Sequence, residues 1–203
     1  MSAPGTGAGP TAKGLRRRNE LLDAAERLLA ASGGAQLTLR AVADEAGVRL
    51  GHLQHYFPTR SDLLAALLDR VLTTSLERIA ARTDPAGDTA AAAVVLDSLL
   101  GDHDEPSLVG LFTEVWSMAA HDEPAAETLR SFYADYAGHV TAIVRRHLPE
   151  LDERGARARA EVFVMAVEGA AIFRSGIAGR RTPHTDDVLR RTLLTLLTGP
   201  ARS

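Results

Sequence analysis

The sequence contains no cysteine and no apolar stretch long enough to cross a bilayer. The missing cysteine excludes disulfide cross-links and thiol chemistry. After the amino-terminal segment MSAPGTGAGPTAK, the longest stretch without a charged side chain spans residues 28–39, which is too short for a membrane helix. That segment also lacks the apolar core of a secretory signal, and its composition predicts a disordered tail over residues 1–14. We therefore expect a cytoplasmic protein without a membrane partner.

The sequence also lacks strand signals and the common catalytic motifs. Alternating β-branched runs closed by hairpin turns are absent, whereas apolar residues recur with helical spacing almost throughout, which predicts an all-α fold. There is no nucleophile elbow, no His-Glu-x-x-His motif and no phosphate loop, so an enzyme is only an unlikely alternative and no cofactor is expected. His103-Asp104 and His121-Asp122 stand near prolines, and we interpret them as polar loop residues.

Glycines, prolines and capping residues divide the chain into about nine predicted helices. Thr38 can cap the second helix and Gly47 closes it, while Pro58 ends the third. Ser61 or Thr59 can cap the fourth helix, and Thr185 the last. The predicted helices cover residues 15–32, 39–46, 50–57, 62–82, 89–100, 107–120, 124–147, 153–177 and 186–198. We expect an amino-terminal three-helix domain over residues 15–60 and a larger helical domain over residues 61–203, joined along the fourth helix.

Charge is distributed unevenly between these two parts. Residues 1–60 carry eight basic and five acidic side chains, a net charge of +3, and the remaining 143 residues carry a net charge of −6. A basic domain on an acidic protein favours a polyanionic partner, although an uneven surface without function has the same signature.

Residues 47–64, GVRLGHLQHYFPTRSDLL, predict a tight turn, a short helix and an abrupt break. Gly47 permits a positive φ angle at the turn, and Ala43 provides a small side chain where two short helices cross. Val48 and Leu53 can fill the space between them. This arrangement indicates a helix-turn-helix, whose second helix enters the major groove of DNA.

Three segments, LLDAAERLLAASGG, LTLRAVADEAGV and GHLQHYFPTRSDLL, resemble the amino-terminal domain of the TetR family of transcriptional regulators. The resemblance implies a homodimeric DNA-binding regulator, in most cases a repressor that a small-molecule effector releases from a palindromic double-stranded DNA operator. A ligand-independent DNA-binding protein is the alternative. The effector, the operator, the regulated genes and the choice between repressor and activator stay open.

Side chains on or beside the third predicted helix are the candidates for DNA contact. Glutamine can pair with adenine, arginine with guanine, and leucine can touch a thymine methyl group. Base contacts are expected from Arg49, Leu50, His52, Gln54 and His55. Phosphate contacts are expected from Thr38, Arg40, Tyr56, Thr59 and Arg60, and Arg16, Arg17 and Arg18 could follow the DNA nearby.

Leu53 and Phe57, in contrast, are expected in the core. The sequence departs from the family at two of these positions. Arg49 stands where a capping Ser or Thr is usual, and Gln54 where a phosphate-binding Tyr is frequent, so the operator cannot be inferred from relatives. His52 and His55 are spaced as a metal pair, but no third ligand is evident and we expect no metal.

Seven of the nine aromatic residues follow residue 100, some of them one helical turn apart. Such stripes are often plain core, but the resemblance implies an effector cavity here. The expected cavity residues are Phe112, Trp116, Tyr133, Tyr136, Phe163 and Glu168. Further polar groups are expected among Glu114, His121, His139 and Arg174. The aromatic content favours an apolar or cationic organic ligand over a phosphate.

The last two predicted helices are the candidates for dimerisation. Small residues such as Gly169 allow close approach of helices, and the last helix carries an apolar stripe with little sequence left to cover it. The expected interface residues are Gly169, Leu189, Leu193 and Leu196.

Overall fold

The computed structural model describes residues 12–33, 36–82 and 89–200. Within these ranges the chain forms nine α-helices and no strand, which confirms the all-α prediction. The helices are α1 (Ala12–Ser32), α2 (Leu39–Glu45), α3 (Leu50–Tyr56), α4 (Arg60–Arg82), α5 (Thr89–Gly101), α6 (Pro106–Ala119), α7 (Glu123–His147), α8 (Glu153–Arg174) and α9 (Pro183–Thr198). A short 3₁₀ turn, Asp102–Asp104, separates α5 from α6. Most of the predicted tail lies outside the described residues, although α1 begins at Ala12, inside its predicted range.

The chain divides into two compact units, and the division falls inside α4. The first unit ends at Leu67 and the second begins at Leu68, whereas the sequence predicts the boundary at residues 60 and 61. No helix in the described ranges is long and apolar enough to span a membrane.

The start of α4 is fixed by a reciprocal cap. The Thr59 hydroxyl accepts a hydrogen bond from the Asp62 backbone N–H at 3.2 Å, and the Thr59 backbone N–H donates to the Asp62 carboxylate at 2.9 Å. This capping box satisfies two backbone donors that the helix start leaves free. Of the two predicted caps, Thr59 rather than Ser61 is used, so α4 begins at Arg60.

The start of α9 differs from its prediction. The Thr182 hydroxyl accepts a hydrogen bond from the Thr185 backbone N–H at 3.1 Å, and Pro183 occupies the first turn. Proline suits this position because its missing N–H would have no partner there. The predicted cap Thr185 therefore lies inside the helix, which starts three residues earlier than expected.

The first unit is built around the turn between α2 and α3. Gly47 has a φ of 64°, and the Val48 backbone N–H donates to the Ala43 carbonyl at 2.9 Å. This left-handed conformation is the one that glycine adopts without steric cost. The core of the unit consists of side chains from all its helices, including Leu21, Leu22, Leu29, Val42, Ala43, Leu53, Phe57 and Leu63.

In the second unit, α4 to α9 share one continuous hydrophobic core. The helix α7 packs against α8, and α9 packs against α5, α7 and α8. The core includes Leu96, Phe132, Tyr136, Phe163, Leu193 and Leu197, which are all nearly or fully buried.

Candidate nucleic-acid interface and ligand cavity

The helix α3 presents polar side chains on one side and apolar side chains on the other. Leu53 is fully buried, as predicted, while His52, Gln54 and His55 are exposed. Tyr56 lies beside two of these residues, because its ring makes edge contacts with the rings of His52 at 5.6 Å and His55 at 5.3 Å. The short helix is anchored in the core by Leu53 and exposes hydrogen-bonding groups and an aromatic ring on its other side.

Arg49 and Leu50 begin this helix. Arg49 occupies the N-cap position with extended backbone and makes no capping hydrogen bond through its side chain. Its side chain is exposed, and Leu50 is half-buried. The arginine that replaces the usual capping residue is thus available for other contacts.

Three of the residues expected at phosphates have roles inside the first unit. The Thr38 hydroxyl caps α2 by accepting from the Ala41 N–H at 3.1 Å, and Thr59 caps α4. Arg60 Nε donates to the Leu37 carbonyl at 2.8 Å. Substituting any of the three changes the stability of the unit as well as its surface, whereas Arg40 is exposed on α2.

The arginines of α1 are also engaged. Arg17 Nε donates to His52 Nε2 at 3.3 Å, and another nitrogen of Arg17 pairs with Glu20 at 2.5 Å. The Arg18 guanidinium lies 5.2 Å from the centre of the Phe57 ring, a cation–π distance. Arg17 therefore supports the outward face of α3, and Arg18 packs on the core. The described residues contain no cluster of three or more metal-binding side chains around His52 and His55 or elsewhere.

The second unit contains two adjoining cavities. We call the first the inner chamber; its volume is about 70 Å³ and its walls include Phe112, Phe132 and Tyr136. We call the second the outer groove; its volume is about 540 Å³, and it lies between α7 and α8, beside Tyr133. Trp116 and Glu168 line both.

A hydrogen-bonded relay lies where the two cavities meet. Trp116 Nε1 donates to the Tyr133 hydroxyl at 2.8 Å, and that hydroxyl donates to Glu168 Oε2 at 2.9 Å. Burial raises the pKa of Glu168 from 4.5 to about 7, an effect that the hydrogen bond from Tyr133 opposes. Burial and the neighbouring carboxylate raise the pKa of Tyr133 above its ordinary value, so the phenol remains a donor at neutral pH.

His103 lies in the 3₁₀ turn and is only 7% exposed. It lines the inner chamber, and its Nδ1 is buried without a hydrogen-bond partner among the described residues. Burial, followed by the positive charge of Arg174, lowers the pKa of His103 from 6.5 to about 4, against the opposing effect of Asp102 and Asp104. The imidazole is therefore neutral at physiological pH.

Comparison with known proteins shows what the chain is similar to. Residues 21–67 match the profile described as bacterial regulatory proteins, tetR family. Over these residues the chain is similar to TetR-family regulators. An HTH-type transcriptional regulator from the dhlA 5′ region of Xanthobacter autotrophicus, itself uncharacterised, is 34% identical over 128 residues, or 60% of this chain and 62% of the relative. The chain spans between about half and three fifths of the length of the curated relatives it matches.

Solved structures extend the likeness in fold to most of the chain. A TetR transcription regulator from Haloarcula marismortui covers 90% of this chain and 97% of its own, with a TM-score of 0.75 and 23% identity. A regulator from Saccharomonospora viridis in complex with choline covers 88% and 94%, with a TM-score of 0.71 and 19% identity. Such low identities show the fold alone. The Xanthobacter relative and the Haloarcula structure both carry the name of a transcriptional regulator.

Most of the expected ligand residues lie at the two cavities. Phe112, Trp116, Tyr136 and Glu168 line the inner chamber, and Tyr133 lines the outer groove. Phe163 is only 1% exposed and belongs to the core instead, because α8 turns it away from both cavities. Glu114, His121, His139 and Arg174 line neither cavity.

The sequence reading missed several cavity residues. Phe132 lines the chamber, although the sequence does not distinguish it from the other aromatic residues after residue 100. His103 was interpreted as a loop residue, which is wrong because the 3₁₀ turn folds it inward; His121 is exposed, as expected of a loop residue. Ser75 and Arg78 of α4 also line the chamber, and no local sequence signal marks them.

Several large apolar side chains of α8 and α9 are exposed in the part of the chain that the structure describes. Val162, Met165 and Phe173 of α8, Ile177 after it and Val188 of α9 are between 44% and 69% exposed. Exposed apolar side chains on two neighbouring helices are a candidate interaction surface.

The expected dimerisation residues fit this face unequally. Gly169 is exposed, and Leu189 and Leu196 are half-buried. Leu193 is 0% exposed in the single chain, so it has no surface to offer a partner. The α9 stripe is split between core and surface because the helix packs on α5, α7 and α8 with the side that carries Leu193 and Leu197.

Proposed function

We propose that the protein is a cytoplasmic DNA-binding transcriptional regulator. In this proposal a homodimer represses genes from a palindromic operator and is released by a small organic molecule. The observation that carries the proposal is α3 itself: Gln54 and His55 are exposed on a short helix that Leu53 and Gly47 hold in a helix-turn-helix. Such a helix is suited to the width of the major groove.

Base recognition is assigned to the exposed side of α3. Gln54 has the donor and acceptor that match adenine, Arg49 has the paired donors that match guanine, and Leu50 suits a thymine methyl group. Arg40, Tyr56 and the remaining phosphate candidates orient the helix without reading sequence.

A dimer follows from the geometry of operators. One helix-turn-helix reads one half-site, so two copies must place two recognition helices one or more turns of DNA apart. The exposed apolar side chains of α8 and α9, together with Gly169, Leu189 and Leu196, support these two helices as the interface. A second copy on this face would form a four-helix contact and would remove the exposed apolar side chains of α8 and α9 from water.

The effector is assigned to the inner chamber and outer groove. A ligand releases DNA only if it binds the DNA-incompetent conformation more tightly than the competent one. The helix α4 is suited to transmit this difference, because it contributes Leu63 to the core of the first unit and Ser75 and Arg78 to the chamber wall of the second. A coupling of about 1–3 kcal/mol is ordinary for such regulators.

Salt dependence on a duplex selected from random DNA tests the DNA interface. Each neutralised phosphate contributes about 0.9 to the slope of log affinity against log salt, so Arg40→Ala should lower the slope by about 1.8 in a dimer. Arg146→Ala, which removes an exposed arginine of the second unit, is the matched control and should leave the slope unchanged. An affinity independent of salt, or equal for any duplex, contradicts the proposal.

The ligand-independent alternative predicts a different result. Footprints of such a protein on the selected duplex would be unchanged by cell metabolites. A metabolite fraction that removes the footprint of the wild type supports the effector, and its action should be weakened by Trp116→Ala without loss of operator affinity.

A further inference from the structure

The charges around the two cavities are balanced except at Glu168. In the inner chamber, Arg78 pairs with Asp102 at 2.6 Å and His103 is neutral. Glu168 itself receives a hydrogen bond only from the uncharged phenol of Tyr133.

The other charged groups of the outer groove also have partners. Arg157 Nε pairs with Glu161 at 2.8 Å, and Arg130 pairs with Glu127 at 2.7 Å and Glu123 at 2.5 Å. Among the described charged residues of both walls, Glu168 is therefore the one without a partner of opposite charge.

An uncompensated carboxylate removed from water takes up either a proton or a cation. Burial raises the pKa of Glu168 to about 7, and only the hydrogen bond from Tyr133 opposes this shift. Tyr133 and Trp116 orient the carboxylate through the relay but bring no charge. A cationic ligand would therefore provide the counter-ion of Glu168, whereas an anionic ligand would be repelled by it.

Aromatic rings line the same two cavities as this carboxylate. Trp116 and Tyr133 belong to the relay, Phe112 lies 6.4 Å from Trp116 between ring centres, and Phe132 lies 5.1 Å from Tyr133. Rings of this kind attract a desolvated cation through their negative faces, most strongly when a carboxylate completes the site. A cation with apolar substituents is complementary both to the Glu168 carboxylate and to the aromatic rings.

We propose that the effector site takes an organic monocation, with its charged nitrogen against the Glu168 carboxylate and its substituents against Trp116 and Tyr133. One uncompensated carboxylate matches one positive charge, so amines with a single charge are favoured over polyamines. That the cation acts as an effector rests on the proposed function, whereas binding of the cation is independent of it.

Proton and cation compete for Glu168 in this proposal. The ionised carboxylate binds the cation, so cation affinity should fall by about tenfold between pH 8 and pH 6. Of the groups that face the two cavities, Arg78, Arg130 and Arg157 are paired and His103, with a pKa of about 4, is already neutral throughout this range. The pH profile therefore reports Glu168.

Fluorescence of Trp116, the only tryptophan in the chain, provides a direct readout. The probes are choline, tetramethylammonium and benzyltrimethylammonium, with 3,3-dimethylbutan-1-ol as the uncharged isostere of choline. We expect at least one cation to bind the wild type at millimolar concentration or below, and the isostere to bind more weakly than choline. Glu168→Gln should weaken cation binding by about thirtyfold or more, and Glu114→Gln, a control outside both cavities, by less than about threefold.

Tyr133→Phe keeps the charge of Glu168 but removes the hydrogen bond that favours its ionised form. It should shift the pH midpoint of cation binding upward while affinity at high pH is largely retained, a result that simple loss of packing would not produce. This second variant keeps the test decisive if Glu168→Gln folds poorly.

Three results would overturn the inference: no cation of the panel binds, the isostere binds as tightly as choline, or Glu168→Gln leaves cation affinity unchanged. Selection of a specific duplex by the same protein preparation separates this failure from that of the proposed function. Specific DNA binding without cation binding refutes the cation site alone, whereas cation binding without specific DNA binding refutes the regulator.

Discussion

Glu168 and His103 should give the second unit two opposing pH dependences of stability. Glu168 has a pKa of about 7 in the folded state, against 4.5 ordinarily, so between these values the folded protein holds a proton that the unfolded chain has lost. Stability therefore falls as pH rises through this window. His103 has a pKa of about 4, against 6.5 ordinarily, so the unfolded chain binds the extra proton and stability rises with pH.

The size of each effect follows from these values. Each difference, from 4.5 to about 7 and from 6.5 to about 4, corresponds to an upper bound on the order of 3–4 kcal/mol, at roughly 1.4 kcal/mol per pH unit. Over the shared window of pH 4.5 to 6.5 the two slopes nearly cancel in the wild type. Glu168→Gln removes the falling slope, so its unfolding free energy should rise with pH relative to the wild type. His103→Gln should show the reverse.

Chemical denaturation followed by Trp116 fluorescence measures these slopes, because the tryptophan lies in the second unit. The readout is the dependence on pH and not the absolute stability, which separates loss of a titrating group from loss of packing. Glu161→Gln, at an exposed ion pair, is the control and should follow the wild type. Parallel pH profiles for the wild type and Glu168→Gln would refute the assignment of an uncompensated carboxylate.

Two further substitutions test the interface and the start of α4. Val162→Arg places a charge on the exposed apolar face of α8 and should convert the dimer to monomers in sedimentation. The control Val94→Arg, at a side chain of α5 that is 68% exposed, should leave the dimer intact. An unchanged dimer with Val162→Arg would exclude this face as the interface. Thr59→Ala removes the capping hydroxyl of α4 and should lower the free energy of unfolding of the first unit by about 1 kcal/mol, whereas Ser61→Ala should lower it much less. Equal losses of stability in thermal or chemical unfolding would contradict the capping box.

Local chemistry explains why the helices and the turn were predictable. Gly47 needs a positive φ angle, and Pro58 cannot continue a helix, so each marks its position in the sequence without help from tertiary contacts. The start of α9 was misplaced because Pro183 breaks a helix in its interior but favours the first turn. Which of these applies depends on Thr182 as the cap.

Side-chain roles depended on packing that the sequence does not encode locally. Leu193 and Leu189 stand in one apolar stripe, but only the orientation of α9 decides that the first is core and the second partly exposed. The sequence predicts His103 to be a polar loop residue, whereas the 3₁₀ turn buries its side chain. Arg60 has the character of a phosphate ligand, yet its bond to the Leu37 carbonyl connects residues 23 positions apart.

The central claim is that α3 reads DNA sequence, and selection of duplexes from a random pool by the wild type and by Gln54→Ala tests it most directly. The wild type should enrich an inverted repeat, and Gln54→Ala should lose preference at the same base pair in both halves, at a cost of about 1–3 kcal/mol per half-site on the wild-type sequence. Enrichment of no common sequence by the wild type, or of an identical sequence by both proteins, would contradict the assignment of α3 and Gln54 to base recognition.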